Sequence, residues 1–193
     1  MVNATKAAIR AAMLSRRDAL SAEQAASWSE QIQSLLLDSA IYAQARRVAW
    51  YAAFQNEVRT DRLLERALGD GKQALFPRLI GRGPDLDFCE VKDPGEMVLS
   101  RLGFREPAAA APAAAPETID LMLLPGLAFD RQGYRLGFGA GCYDRVLPRL
   151  RPEAWTCGAA YGFQVVARLP HAAHDVRVKL LVTEGGFIPI PTG

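Results

Sequence analysis

One short apolar run constrains this chain more than anything else in it. Residues 119–124 (Ile-Asp-Leu-Met-Leu-Leu) are almost wholly apolar, and a glycine-rich turn follows them. That combination predicts a buried strand, and the turn leads into a predicted helix over 143–150. Upstream, the apolar and aromatic run 46–53 (RRVAWYAA) predicts another buried strand, broken by residues 56–60. Thr60 can cap a helix over 61–68, which Gly69 and Gly71 end. Residues 73–79 predict the next strand, which Pro77 should end early. Strand, helix and strand in that order form a β–α–β unit, which points to an α/β fold containing a parallel pair.

Apolar residues at helical spacing predict helices over 4–20 and 22–38. Ser21 and Gln24 stand at the capping-box spacing before the second of these. Residues 86–91 alternate and suggest an edge strand, while 155–161 and 176–183 suggest the last main strands. The stretch EPAAAAPAAAPE (106–117) is low in complexity, and its prolines break any alanine helix. It reads as an irregular surface loop inside one domain spanning 1–193.

Charge narrows the partners. The chain carries 23 basic and 21 acidic residues for a net charge of +2, with no basic arm in either half. That excludes the electrostatic footprint of a nucleic-acid binder. Among the bases, 19 are Arg and only 4 are Lys, which reads mostly as compositional bias. Three scattered cysteines (Cys89, Cys142, Cys157) form no disulfide framework or zinc ribbon. No apolar run approaches the ~18 residues of a membrane span, and the start lacks an apolar signal core. A cytoplasmic monomer without a membrane or nucleic-acid partner is the expectation.

The segment with chemistry is PGLAFDRQGYRLGFGAGCYDRVL, residues 125–147. Gly137, Gly139 and Gly141 alternate and lead into a helix, an arrangement that lets backbone N–H groups approach an anion. Arg135 adds a fixed, forked cation and Asp144 a hard oxygen suited to Mg²⁺ beside phosphates. The same pattern also suits a tight turn that needs glycine, with Asp144 as a first-turn helix acid, and spacing does not choose between them. A dinucleotide fingerprint fails because Cys142 stands where the last glycine belongs. A P-loop fails because Gly71–Lys72 is followed by Gln73. His171 and His174 are three apart, but no third zinc-type ligand accompanies them.

These residues resemble the 5-formyltetrahydrofolate cyclo-ligase family. The central match is Pro125, Gly126, Ala128, Phe129 and Asp130, then Gly133, Arg135, Leu136, Gly137, Gly139, Gly141, Tyr143 and Asp144. Fainter marks follow in order: Lys6 and Arg10; Tyr51, Glu57, Val58 and Thr60; Pro77–Arg78; Glu106–Pro107. Ala160, Tyr161 and Gln164, then His174, Asp175 and Val176, complete the series. The chain departs from the family at Cys142, where an aromatic is usual, at Ala140, where glycine is frequent, and at Lys179, where an acid is common.

The resemblance implies a three-layer α/β sandwich with a mixed, largely parallel sheet flanked by helices. It implies ATP- and Mg²⁺-dependent cyclisation of 5-formyltetrahydrofolate to 5,10-methenyltetrahydrofolate, with ADP and phosphate released. Arg135 and Tyr143 take catalytic roles on this reading. The nucleotide falls to Lys6, Arg10, Arg135, Leu136, Gly137, Phe138, Gly139, Ala140, Gly141, Cys142 and Tyr143. The folate falls to Ala52, Glu57, Phe138, Gly139, Ala140, Gly141 and Cys142, and the metal to Asp144 and Asp175. The other reading kept open is a non-catalytic reduced-folate-binding regulatory protein on the same fold. An acyl-CoA transferase would want a glutamate nucleophile, and none lies within 125–147.

Overall fold

The structure, a computed structural model, describes residues 5–172 and 175–191. Thr5 begins it as a helix cap: its Oγ1 accepts the Ala8 N–H at 3.2 Å and starts α1 (Lys6–Asp18). Ser21 does the same for α2 (Ala22–Leu37), accepting from the Gln24 N–H at 3.1 Å. A short α3 (Ala40–Gln44), capped by Ser39, was not legible from the apolar pattern.

β1 (Arg47–Ala49) is shorter than its apolar run, because the chain leaves the ladder to form the 50–60 loop. Gln55 and Asn56 in that loop hold left-handed φ values of 47° and 56°. Thr60 precedes α4 (Asp61–Gly69) but does not cap it; its hydroxyl donates instead to the Tyr51 carbonyl at 2.6 Å. β2 (Gln73–Leu79) runs straight through Pro77, contrary to the expected early end. The reason is register. Gln73 donates to the Arg46 carbonyl and the Leu75 carbonyl accepts from Trp50, so alternate residues of β2 face β1. β1 stops opposite Leu75, so the N–H that Pro77 lacks would have met no ladder partner.

β3 (Leu86–Glu90) is not the edge. Beyond β4 (Met97–Leu99) and its partner β5 (Arg105–Pro107), β6 (Ala113–Ala114) pairs with β3 and takes the outer place. The alanine-proline stretch is therefore partly ordered strand rather than wholly irregular loop. Arg78 fastens it: Nη1 donates to the carbonyls of Ala108, Ala109 and Ala111 at 2.8–3.0 Å, and Nη2 to Asp87 at 3.0 Å. Glu106 adds a bond from the Leu79 N–H at 2.9 Å.

β7 (Leu121–Leu124) is buried throughout and sits mid-sheet. After it come β8 (Ala128–Asp130), β9 (Arg135–Leu136) and α5 (Cys142–Val146). α5 ends before the expected residue 150 because Pro148 cannot continue it, and a 3₁₀ turn (Leu147–Arg149) follows. β10 (Trp155–Ala159), β11 (Val165–Val166), β12 (Leu180–Thr183) and β13 (Gly186–Pro189) complete the chain.

The main sheet has the order β13-β12-β10-β7-β1-β2-β3-β6. Its five middle strands, β12 to β2, are parallel to one another, while the outer pairings β12–β13, β2–β3 and β3–β6 are antiparallel, so the sheet is mixed and mostly parallel. Ile32 and Leu36 of α2 and Leu63 of α4 pack on one face with Val48 and Phe76. Val146 and Leu147 cover the other with Phe129 and Leu181. α1 sets Met13 against Leu127, Ala128 and Leu136 of the small sheet β11-β8-β9.

β1 leads to β2 on one side, whereas β7 lies on the other side of β1 and leads on to β10. The carboxyl ends of β1 and β7 thus flank the point where the winding direction reverses, the usual crevice of such sheets. Asp130, fully buried, shapes the chain beyond β7. Its carboxylate accepts the N–H groups of Gln132, Tyr134 and Leu169 at 2.9–3.0 Å. Asp130→Ala orphans three donors and is expected to cost roughly 3–5 kcal/mol, read as a lower urea midpoint.

Candidate active site

The loop after β9 forms one wall. Gly139 and Gly141 hold φ at 110° and 70°, which a side chain would strain. Arg10 reaches this loop from α1: its Nε donates to the Gly137 carbonyl at 2.8 Å. A Cβ on Gly139 would sit 3.4 Å from the Arg10 guanidinium. Lys6, one helical turn earlier, pairs with Asp175 at 3.0 Å, and Asp175 also accepts the Ala172 N–H at 2.8 Å. Lys6 and Arg10 therefore share a helix face, on which Arg10 meets the loop and Lys6 meets Asp175.

Arg135 lies under the loop, its side chain 5% exposed. Nη2 donates to Asp144 at 3.0 Å, and the guanidinium stands 5.5 Å from the Tyr143 ring. Nη1 is buried and, among the described residues, bonds nothing. A buried guanidinium nitrogen left over beside a loop of unobstructed glycines fits an anionic ligand. Asp144 and Asp175 each rest on one of these cations and remain partly open, at 23% and 14% exposure. No group of three His, Cys, Asp or Glu side chains gathers among the described residues. Two separate carboxylates suit Mg²⁺ that shares phosphate oxygens and water.

Glu57 forms the second wall, from the loop after β1. Its carboxylate accepts the Phe54 N–H at 3.2 Å and faces Arg17 Nη1 at 3.7 Å. Burial raises its pKa from 4.5 to about 7, against the opposing pull of Arg17 and the Phe54 N–H. Tyr143 lies near enough that the Glu57 charge, added to burial, pushes its phenol up. Tyr143 also meets the Phe88 ring edge to face, at 6.5 Å between centroids. The packing role of this side chain is therefore plain.

Other expected site residues take different places. Phe138 and Ala140 are exposed on the glycine loop, Phe138 at 55%. Leu136 is buried against α1, so only its backbone belongs to the wall. Cys142 is half-buried, and burial raises its thiol, which argues against a reactive thiolate. Ala52 is half-buried against the core beside α2 and α4. His171 lies flat on Tyr134, the rings 3.7 Å apart, and His174 falls outside the described residues. Lys179 is held by the carbonyls of Pro152 and Ala154.

Sequence reasoning missed Arg17, and it noted Gln164 only as a family mark without a task. Gln164 accepts from the Tyr161 N–H and donates to the Gly126 and Leu127 carbonyls at 3.0 Å, clamping the chain as it leaves β7. A depression of about 980 Å³ lies at the opposite, amino-terminal end of the strands. Its charges answer one another: Asp120 accepts the Arg46 and Arg47 N–H groups and pairs with Arg151, and Lys72 donates to carbonyls.

Fold and site together define an α/β protein with a cation-lined glycine cradle and a buried carboxylate at its topological switch point. The model of the 5-formyltetrahydrofolate cyclo-ligase family matches residues 2–184. The chain is 31% identical over 172 residues to the Escherichia coli K12 5-formyltetrahydrofolate cyclo-ligase, covering 87% of this chain and 94% of the relative. It is 29% identical over 198 residues to the Mus musculus 5-formyltetrahydrofolate cyclo-ligase, covering 95% of each. The solved Aquifex aeolicus 5,10-methenyltetrahydrofolate synthetase superposes with a TM-score of 0.85 at 34% identity, covering 97% of this chain and 94% of that one. The chain belongs to the 5-formyltetrahydrofolate cyclo-ligase family, whose members are ligases. No helix among the described residues is long and apolar enough to cross a membrane.

Proposed function

We propose that the protein converts 5-formyltetrahydrofolate and ATP into 5,10-methenyltetrahydrofolate, ADP and phosphate, with Mg²⁺. The observation that carries this reading is the buried Arg135 guanidinium, whose Nη1 lacks a partner among the described residues beside the glycine loop, in a chain of this family.

A formamide oxygen is a poor leaving group. Transfer of the γ-phosphoryl group of ATP to that oxygen makes it a phosphate ester. The substrate's own N10 then attacks the activated carbon, forming the C–N bond. The C–O bond breaks, phosphate departs with the former formyl oxygen, and N10 loses its proton. The nucleophile belongs to the substrate, so the protein supplies alignment and charge.

Lys6, Arg10 and the N–H groups of the glycine loop hold the phosphates. Arg135 turns its free Nη1 toward the transferring group. Asp144 and Asp175 would hold Mg²⁺, which would supply charge neutralisation at the phosphates. Glu57 accepts hydrogen bonds from the amino and ring N–H groups of the pterin, and the Tyr143 hydroxyl donates near the formyl oxygen.

The test mixes purified protein with 5-formyltetrahydrofolate and MgATP and follows methenyl absorbance together with ADP. Methenyl and ADP should appear in equal amounts. Folate binding without ADP release would instead identify a non-catalytic folate-binding protein.

A further inference from the structure

Arg17 is the charged group the family resemblance left without a task. It belongs to α1, about two turns beyond the phosphate-facing Arg10 and about three beyond Lys6, and is fully buried. Its Nε and Nη2 donate to the Gln55 carbonyl at 3.1 and 2.5 Å, and Nη2 reaches the Phe54 carbonyl at 3.4 Å. Asn56 returns a bond from its side-chain amide to the Arg17 carbonyl at 3.3 Å. The loop that carries Glu57 is thus wrapped around this one guanidinium, with Gln55 and Asn56 held left-handed to do so. Nη1 makes no hydrogen bond among the described residues, and it stands 3.7 Å from Glu57 Oε1.

We propose that Arg17 is a positioning residue for the folate, holding Glu57 in place and ionised so that its carboxylate can receive the pterin. The proposal rests on the folate reading above. Lys6 and Arg10 are served by the same helix, so a merely structural Arg17 would support both substrates equally. A positioning Arg17 serves one.

The groups facing Glu57 are Arg17 from α1, Tyr51 after β1 and Tyr143 of α5, with Tyr161 after β10 beside Tyr51. Of these groups, among the described residues, Arg17 is the cation. Burial already lifts the Glu57 carboxyl to about 7, so weakening that cation moves its titration further up.

The experiment measures the KM for 5-formyltetrahydrofolate, kcat and MgATP affinity from pH 6 to 9 in wild type, Arg17→Lys and Arg17→Gln, each also in a Glu57→Gln background. A lysine can reach the loop carbonyls but cannot also fork toward Glu57. Arg17→Lys should raise the folate KM about tenfold at pH 7.5 and shift its pH dependence about one unit alkaline. MgATP affinity should hold within about twofold, and Arg17→Lys should add little in the Glu57→Gln background. Equal loss in both backgrounds, parallel loss of MgATP affinity, or an unshifted pH profile would overturn the proposal. Failure of both Arg17 variants to fold overturns it too, since a purely structural Arg17 predicts that. If wild type shows no affinity for 5-formyltetrahydrofolate, the functional reading itself falls, a result distinct from all of these.

Discussion

Arg135→Ala is expected to lower kcat by about 10³-fold or more, with a smaller effect on the folate KM. A buried guanidinium aimed at a transferring phosphoryl group acts where charge develops, and such groups carry effects of this size. The geometry favours a catalytic loss over a folding defect. Among the described residues Arg135 makes one ion pair, to a partly exposed Asp144, and leaves Nη1 unbonded. Arg135→Lys should recover only part of the rate, because a single ammonium cannot serve Asp144 and a phosphoryl oxygen at once. Arg151→Ala is the control: it removes a surface pair with Asp120 at the far end of the strands and should leave kcat unchanged. Single-turnover formation of the methenyl product, beside a thermal melt of each variant, separates the two kinds of loss. An Arg135→Ala protein that turns over at the wild-type rate would remove Arg135 from the mechanism.

Glu57→Gln should produce opposite effects on stability and on activity. In the folded protein burial holds the Glu57 proton up to about pH 7, while the unfolded chain releases it near 4.5. Between those values the folded state binds more protons than the unfolded state, so stability falls as pH rises. The contribution is fully present below pH 4.5 and gone above about 7, a span worth on the order of 3 kcal/mol. Glu57→Gln, neutral throughout, should flatten this dependence and melt higher than wild type at pH 8. The same change removes the charge that receives the pterin's donors, so the folate KM should rise roughly 100-fold. Urea titrations at pH 5 and 8 check the first effect, and steady-state rates at pH 8 the second. Parallel pH profiles for the two proteins would show that Glu57 does not titrate in this window.

The two predictions differ in how visible their residues were before folding. Arg135 stands in a dense glycine motif, and its role could be argued from neighbours along the chain. Glu57 stood out only by likeness, because nothing near it in sequence reveals that Arg17 and Tyr143 converge on it. Arg17 itself looked like one more base in an arginine-rich helix, since helical spacing does not say which face a tertiary loop will wrap. The central strands were legible because β7 is a continuous apolar run and β1 lies in another. Of the outer strands β3 was legible by its alternation, but β6 beyond it was not. Two alanines suffice for β6 because Arg78 and β3 position them, and no periodicity can exist in two residues. Pro77 misled for the same reason: the cost of a missing N–H depends on which neighbour it would have faced.

The Arg78 clasp has an evolutionary consequence. It grips main-chain carbonyls at 108, 109 and 111, and every amino acid carries one. Selection acting through this contact therefore reads Arg78 and the path of the backbone, not the side chains of the segment it holds. Neutral drift in a genome that favours alanine codons can rewrite those positions freely, so a stretch of near-uniform letters can persist in an ordered part of the enzyme.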